Sequence, residues 1–393
     1  MLRVWPGCDL RSGRDRPTPV VSPLLRALAY TVLGLSLSAC GTPTVRVFSF
    51  EPEALRIAVA ERANAPVPEF EVPFLVNEDD VARARKATAL YVTTKDRARA
   101  LASAIKDPHV FGIAYEPTVV RTARQAIDEK RGDCLGVSSA FVGLAREIGI
   151  KAFYLDASDR VNTLQNGDDM IISSGHVSAV VIAEQGPLIV DFDNQIRNFA
   201  HHRMMDDVQA MAHYFNNHGF ELLNAASSAG AELPWAEARE QFFIATQLNA
   251  SLARAWNNLA IAEKKLGNFE KAELYYRVAI DQDAEFAEPR TNLGLLYLAQ
   301  GRVRDSLKPF KAAIELSPDN PYVYFNYSLA LARSGRTGAA RAAAEQAVRL
   351  DPEVARHRRW LDELYGRPPE ASSDAPDPAP ESESSEASSD AGT

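Results

Sequence analysis

Cys134 stands where a nucleophile would be placed. It follows Lys130-Arg131-Gly132-Asp133 and opens a helix-patterned segment. There Val137, Phe141, Leu144 and Ile148 fall on one face and Gly149 is a stop. In the first turn of a helix, unpaired backbone N–H groups and the positive end of the dipole favour a thiolate, the form that attacks carbonyls. The same N–H groups can hydrogen-bond the oxyanion formed during acyl transfer. Such chemistry needs a base and a group that orients it. Of the seven histidines, only His176 enters a strand-like run, Gly175 to Ala183. A turn signal at Gly186-Pro187 follows, then the apolar run Leu188-Ile189-Val190, which ends at Asp191. This reads as a hairpin with His on one strand and Asp on the other. A two-residue turn at Ala183-Glu184 would set His176 opposite Asp191. The Gly-Pro position points to a later turn, which needs a bulge or twist to bring the two together.

Other assignments compete for the same roles. Asp193, two residues on and so on the same strand face, is the alternative to Asp191. His201 and His202 are alternative bases, although their flanks read as loop or helix start. Between Trp5 and Trp235 the chain has no Trp, so an indole cannot complete an oxyanion hole. The Cys134 N–H is one donor, and Tyr115 is the candidate for a second. The glycines form no phosphate loop and no Cys/His spacing suggests zinc, so neither cofactor nor metal is expected.

Gly132-Asp133-Cys134, then Leu144-Ala145-Arg146, Gly149-Ile150 and Ala152, then Gly175-His176 and Val190-Asp191 resemble the transglutaminase-like superfamily over roughly residues 115 to 195. The resemblance implies a papain-like core, with the cysteine on a helix and His and Asp on the adjoining sheet. It makes Cys134 the nucleophile, His176 the general base and acid, Asp191 the group orienting the imidazole, and Arg146 a structural member of the motif. The chain departs from the family at Ser178, where an aromatic is frequent, and at Phe192, where Pro commonly follows the Asp.

The other two cysteines, Cys8 and Cys40, fall in a leader-like segment. Arg3, Arg11, Arg14, Arg16 and Arg26 form a basic stretch, and the apolar core Ala27 to Leu37 is too short to span a bilayer. Leu37-Ser38-Ala39-Cys40 resembles the bacterial lipoprotein box. That resemblance implies cleavage before Cys40 and acylation of its sulfur and amino group, several chains together giving stable anchoring. Gly41, rather than Asp, after the cysteine implies the outer membrane, with the protein facing the periplasm. Cys134 is then left as the one thiol, with no intrachain disulfide available.

The formal net charge is −9, and residues 1–39, which hold five Arg and two Asp, carry part of the basic side of that balance. So acidic a chain argues against a nucleic-acid partner. The last stretch, from Glu370, holds seven acids and no basic residue, has nothing to bury, and is expected to be disordered. Pro43, Pro52, Pro66, Pro68 and Pro73 punctuate a segment read as a tether, with a short helix at Ala54–Ala63.

From about His213 the pattern is helical and repeats every 34 residues. Trp256, Leu259, Ala272, Tyr276 and Ala279 are answered by Arg290, Leu293, Ser306, Phe310 and Ala313. Tyr324, Tyr327, Ala340, Ala344 and Ala347 come next. Gly267, Gly301 and Gly335 keep register, as do Pro318 and Pro352. This resembles the tetratricopeptide repeat, whose small and aromatic positions let two antiparallel helices pack closely. An opening repeat precedes the three, and a capping helix over Val354–Tyr365 closes them. Stacked repeats form a concave groove that takes a protein or peptide. Asn258, Asn292 and Asn326 recur in register as groove candidates, or else brace neighbouring helices.

The expected architecture is an α+β papain/transglutaminase-like domain followed by an all-α tetratricopeptide solenoid and a disordered acidic tail. Its divisions are a leader (1–39), a lipidated tether (40–80), the cysteine domain (81–212), repeats with a capping helix (213–365) and the tail (366–393). The expected function is that of a membrane-anchored cysteine enzyme. It would be a peptidase or amidohydrolase, or a transglutaminase-type acyltransferase, with hydrolysis favoured over cross-linking and the repeats recruiting a protein partner. The alternative is a non-catalytic protein-binding lipoprotein scaffold with a vestigial cysteine domain.

Overall fold

A computed structural model describes residues 3–4, 49–64, 66–117, 119–165, 171–193, 202–352, 359–360 and 362. The leader with Cys40, the acidic tail and His201 lie outside the described residues, except for Arg3 and Val4. Two compact units are divided between Pro318 and Asp319.

The first unit opens with three helices, α1 (Pro52–Ala63), α2 (Glu78–Thr88) and α3 (Thr94–Lys106). Short strands β2 (Ala114–Tyr115) and β3 (Arg131–Gly132) flank α4 (Ala123–Glu129) and pair in parallel, Tyr115 opposite Gly132. Helix α5 (Cys134–Glu147) follows at once. It packs on an antiparallel sheet of β4 (Ala152–Gln165), β5 (Ile171–Ala183), β6 (Gly186–Val190) and β7 (His202–Met205). The order is β1-β6-β5-β4-β7, the edge strand β1 being Arg3–Val4, set against Leu188 and Ile189.

Helix α5 is the hub. Val137, Ala140, Phe141, Leu144 and Ala145 bury one face against Val177, Ala179 and Val181 of β5, as their helical spacing requires. Ser138 Oγ donates to Val177 O at 3.0 Å, and Tyr154 Oη to Ser139 Oγ at 3.0 Å, so polar side chains also pin the helix to the sheet. Gly143 has no side chain because the Phe74 carbonyl lies where one would be.

That contact corrects the expected tether. The helix at 54–63 forms, but Leu55, Val59, Val72 and Phe74 are buried in the same core as α5. Residues 52–74 belong to the cysteine domain rather than to a spacer.

Four helix pairs follow. In the first unit they are α6 (Asp207–Ser228) with α7 (Trp235–Leu248), α8 (Ala253–Lys265) with α9 (Phe269–Gln282), and α10 (Glu288–Ala299) with α11 (Val303–Leu316). Gly267 ends α8 at φ 83°, a left-handed turn that explains its recurrence at Gly301 and Gly335. Ala272, Tyr276 and Ala279 are buried, and so are their repeats Ser306, Phe310 and Ala313. The boundary expected at residue 213 falls inside a helix. Val208, Met211 and Phe215 of α6 pack into the cysteine domain, while Phe220 and Leu223 pack into the repeats. Arg146 fixes the start of α6, its Nη1 and Nη2 donating to both Asp207 oxygens at 3.0 and 2.8 Å. A bidentate pair of this kind sets orientation as well as energy.

The second unit holds α12 (Pro321–Arg333) and α13 (Thr337–Leu350). Of the expected capping helix, only Arg359, Trp360 and Asp362 are described, all helical, and Trp360 Nε1 donates to Ser328 Oγ at 2.9 Å.

Candidate active site

The site starts from the way α5 begins. Asp133 is its N-cap, accepting the Gly136 N–H at Oδ1 (2.8 Å), and its carbonyl takes the Val137 N–H. Cys134 is therefore the first helical residue, where backbone N–H groups have no intrahelical acceptor. Asp133 is buried, which pushes its pKa up to about 6 despite the Gly136 and Asn217 hydrogen bonds. Cys134 is 4% exposed, and its thiol points at Gly175 O of β5 at 3.5 Å.

The partners come from the β5–β6 hairpin. Ala183 pairs with Gly186 across a two-residue turn, Glu184-Gln185. This turn lies one residue later along the chain than the Ala183-Glu184 alternative. Such a slip moves the pairing by two residues and leaves every side chain on its original face. Ser178 consequently takes the position opposite Asp191, and His176 lies diagonal to it. The diagonal is within reach: His176 Nε2 and Asp191 Oδ2 are 3.0 Å apart.

Ser178 completes the arrangement. Its hydroxyl donates to the same Asp191 Oδ2 at 2.8 Å and lies 3.3 Å from His176 Nε2. The Asp193 amide donates to Asp191 Oδ1 at 2.8 Å. The geometry thus gives the imidazole to Asp191, with the Asp193 backbone amide holding that carboxylate. In the sequence Ser178 stands out only as a departure from a family pattern. The signal available was parity, since residues 176, 178 and 191 share one strand face.

Electrostatics follow from these contacts. Burial lowers the His176 pKa, but hydrogen bonds with Asp191 and Cys134 and the charges of both outweigh it, raising the imidazole to about 10. Burial works against the Asp191 charge, yet hydrogen bonds from His176, Ser178 and the Asp193 amide hold it below the usual carboxylate range. Tyr115, brought to the helix mouth by the β2–β3 pairing, has its phenol pushed well up. Burial does most of this, followed by the Cys134, Asp193, Asp133 and Asp191 charges. It remains a protonated donor at neutral pH.

The repeats reach this region. The Arg254 guanidinium of α8 lies against Gly175, where a β-carbon would collide with it. Asn258, Asn292 and Asn326, the groove candidates, are all buried. Asn258 Nδ2 donates to Asn216 Oδ1 (3.0 Å), Asn292 Nδ2 to Asn257 Oδ1 (3.0 Å) and Asn326 Nδ2 to Tyr322 O (2.9 Å). The Asn258 and Asn292 amides bind neighbouring helices and the Asn326 amide binds its own, which favours the bracing alternative over the groove. His202 lies in β7, paired with Ala157. Among the described residues, no group of three or more His, Cys, Asp or Glu could hold a metal.

Comparison with known proteins agrees with this organisation. The transglutaminase-like superfamily model matches residues 81–179, a span that includes Cys134 and His176 and stops before Asp191. Tetratricopeptide repeat models match residues 253–286 and 291–361. No match was found among curated protein sequences. Similar solved structures include MamA from Desulfovibrio magneticus RS-1, 17% identical, covering 39% of this chain and 83% of that one at a TM-score of 0.34. YrrB, described as a TPR protein with an unusual peptide-binding site, is 17% identical over 38% of this chain and 73% of its own, with a TM-score of 0.33. The first TPR of Spaghetti (RPAP3), bound to an HSP90 peptide, is 17% identical over 28% and 89%, with a TM-score of 0.28. Likenesses this low carry no functional inference. The repeats support a protein-interaction role, and the chain carries a transglutaminase-like domain over residues 81–179 followed by tetratricopeptide repeats over 253–361.

Proposed function

We propose that this chain is a cysteine acyl-transfer enzyme acting on amide bonds of protein or peptide substrates, with water as the favoured acceptor. One observation carries the reading: the first residue of α5 is a thiol 3.5 Å from the carbonyl of Gly175, the residue before His176, whose imidazole is 3.0 Å from a buried carboxylate. With Nε2 engaged by Asp191, Nδ1 of His176 is the nitrogen that exchanges a proton with Sγ. The thiolate attacks the amide carbonyl carbon. The resulting oxyanion is held by the Cys134 N–H and the Tyr115 hydroxyl. Imidazolium Nδ1–H protonates the leaving amine, the C–N bond breaks, and an acyl-enzyme remains. Water then adds to the thioester, giving its proton to Nδ1, and the C–S bond breaks to release the acid. Water is favoured because Cys134 and His176 are only 4% and 5% exposed, so the second acceptor must pass a narrow mouth already holding the acyl group.

In the same proposal the repeats recruit the substrate protein or a regulator, and Cys40 carries the lipid that anchors the chain to the outer membrane, facing the periplasm. The Leu37-Ser38-Ala39-Cys40 box supports the anchor. Mass spectrometry of candidate peptides, incubated with the full chain or its Cys134→Ala variant, with and without a primary amine, tests the reaction. Cleavage or deamidation that needs Cys134 and ignores the amine supports the proposal. Amine incorporation would make it a transferase, and identical peptide masses with both proteins would overturn it.

A further inference from the structure

Away from the cysteine, the connection between α2 and α3 presents Leu90 at 93% exposure, Val92 at 95% and Tyr91 at 48%. Consecutive apolar side chains held in water at this level are costly unless something covers them. Local bonds hold the tip outward. The Tyr91 N–H donates to Thr88 O at 3.1 Å on one side, and Thr93 caps α3 by accepting the Asp96 N–H on the other.

Its flanks are basic in a chain that is acidic as a whole. Arg85 and Lys86 lie exposed in the last turn of α2, and Lys95, Arg97 and Arg99 lie half-buried in α3, against Asp96 in that helix and Glu184, which accepts the Thr94 N–H at 2.8 Å. Beside the tip opens a cavity of about 440 Å³ whose lining includes Arg85, Thr88, Tyr91, Arg97, Glu147 and Ile148. Arg97 Nη2 donates to Ile148 O at 2.5 Å, and Arg85 Nη2 reaches Glu147 O at 3.4 Å, so both guanidinium groups are set at its rim.

We infer that Leu90-Tyr91-Val92 and its basic flank dock on an anionic phospholipid bilayer. The two aliphatic side chains enter the boundary between headgroups and acyl chains, Tyr91 sits at headgroup level, and Arg85, Lys86 and Lys95 face lipid phosphates. Charge selects this occupant. A two-fold contact between copies of this chain would bring the same basic flank against itself. An apolar tip and a cationic rim are the two signals that together make peripheral binding stable. The inference rests neither on the lipid anchor nor on the acyl-transfer reading.

The test uses the full chain with Cys40→Ser, mixed with phosphatidylglycerol or phosphatidylcholine vesicles, and reads amide hydrogen exchange over residues 88–94. Exchange there slows with anionic vesicles and recovers in high salt, and in Leu90→Asp/Val92→Asp the vesicle-induced protection falls about tenfold or more. Both side chains are exposed, so unchanged exchange elsewhere shows that the variant is folded. Exchange over 88–94 indifferent to both vesicle types overturns the proposal. So does equal slowing by phosphatidylcholine, or slowing by protein concentration without vesicles, which would make the occupant a second copy.

Discussion

Asp191→Asn isolates the carboxylate's effect on the imidazole. The amide keeps the size of the side chain and can still accept the His176 N–H through its oxygen, so the hairpin and the 3.0 Å contact have no steric reason to move. The charge is lost, and with it one acceptor, since Oδ1 takes the Asp193 N–H while Oδ2 takes His176 and Ser178. In the parent, His176 stands at about 10 against an ordinary 6.5, although burial alone would lower it, and the Asp191 hydrogen bond is the largest contribution upward. Removing the charge should therefore lower the imidazole by about 2 pH units or more, which at 1.4 kcal/mol per unit is roughly 3 kcal/mol less favour for imidazolium. The linkage has a definite sign. A histidine whose folded pKa lies above its unfolded value contributes stability that is complete below pH 6.5 and lost as pH rises through 10. That alkaline loss should shrink in Asp191→Asn. Nitrogen NMR of histidine-labelled protein, with His176 assigned from His176→Ala, measures the titration directly. A parent His176 titrating near 6.5, or a value that Asp191→Asn leaves in place, would refute the reasoning.

Other perturbations probe the same framework. Ser178→Ala removes the hydroxyl that shares Asp191 Oδ2, so the carboxylate binds imidazolium more tightly. The His176 titration should rise while stability drops by about 1 kcal/mol, and Ser178→Thr should restore both. Asp133→Asn keeps a competent cap but removes a buried carboxylate whose pKa is raised from 3.8 to about 6. Because a raised acid favours the fold at low pH and penalises it above 6, denaturant melts should show gain near pH 7.5, on the order of 2 kcal/mol, and little at pH 4. Gly143→Ala drives a methyl into the Phe74 carbonyl and should cost about 2–4 kcal/mol in the same melts. A neutral result would detach residues 72–76 from the core.

Much of the site could be read from residue types because each member lies on a strongly patterned element. The apolar stripe after Cys134 specified α5, and alternation specified the faces of β5 and β6. The hairpin turn was open between two positions, but parity protected the outcome: a shift of two residues preserves the face and changes only which residue stands opposite Asp191. Ser178 was invisible for that reason, since its role depends on register. Two points turned on tertiary context. Pro66, Pro68 and Pro73 suggested a loose spacer, yet Leu55, Val59, Val72 and Phe74 on either side of the proline cluster fill the core beside α5. The recurring Asn residues were legible as a repeat. Whether they faced ligand or neighbour depended on helix packing, which buried them. Helix α6 defeats any linear boundary, because one continuous helix serves two cores.

The central claim is that Cys134 is an activated nucleophile, and its alkylation rate tests this most directly. In the unlipidated full chain, Cys8 and Cys40 act as internal reference thiols. Iodoacetamide labelling at pH 6, followed by peptide mapping, should modify Cys134 faster than either reference, and His176→Ala should abolish the advantage. Labelling of Cys134 that trails both references at pH 6 and is the same in His176→Ala would contradict the account.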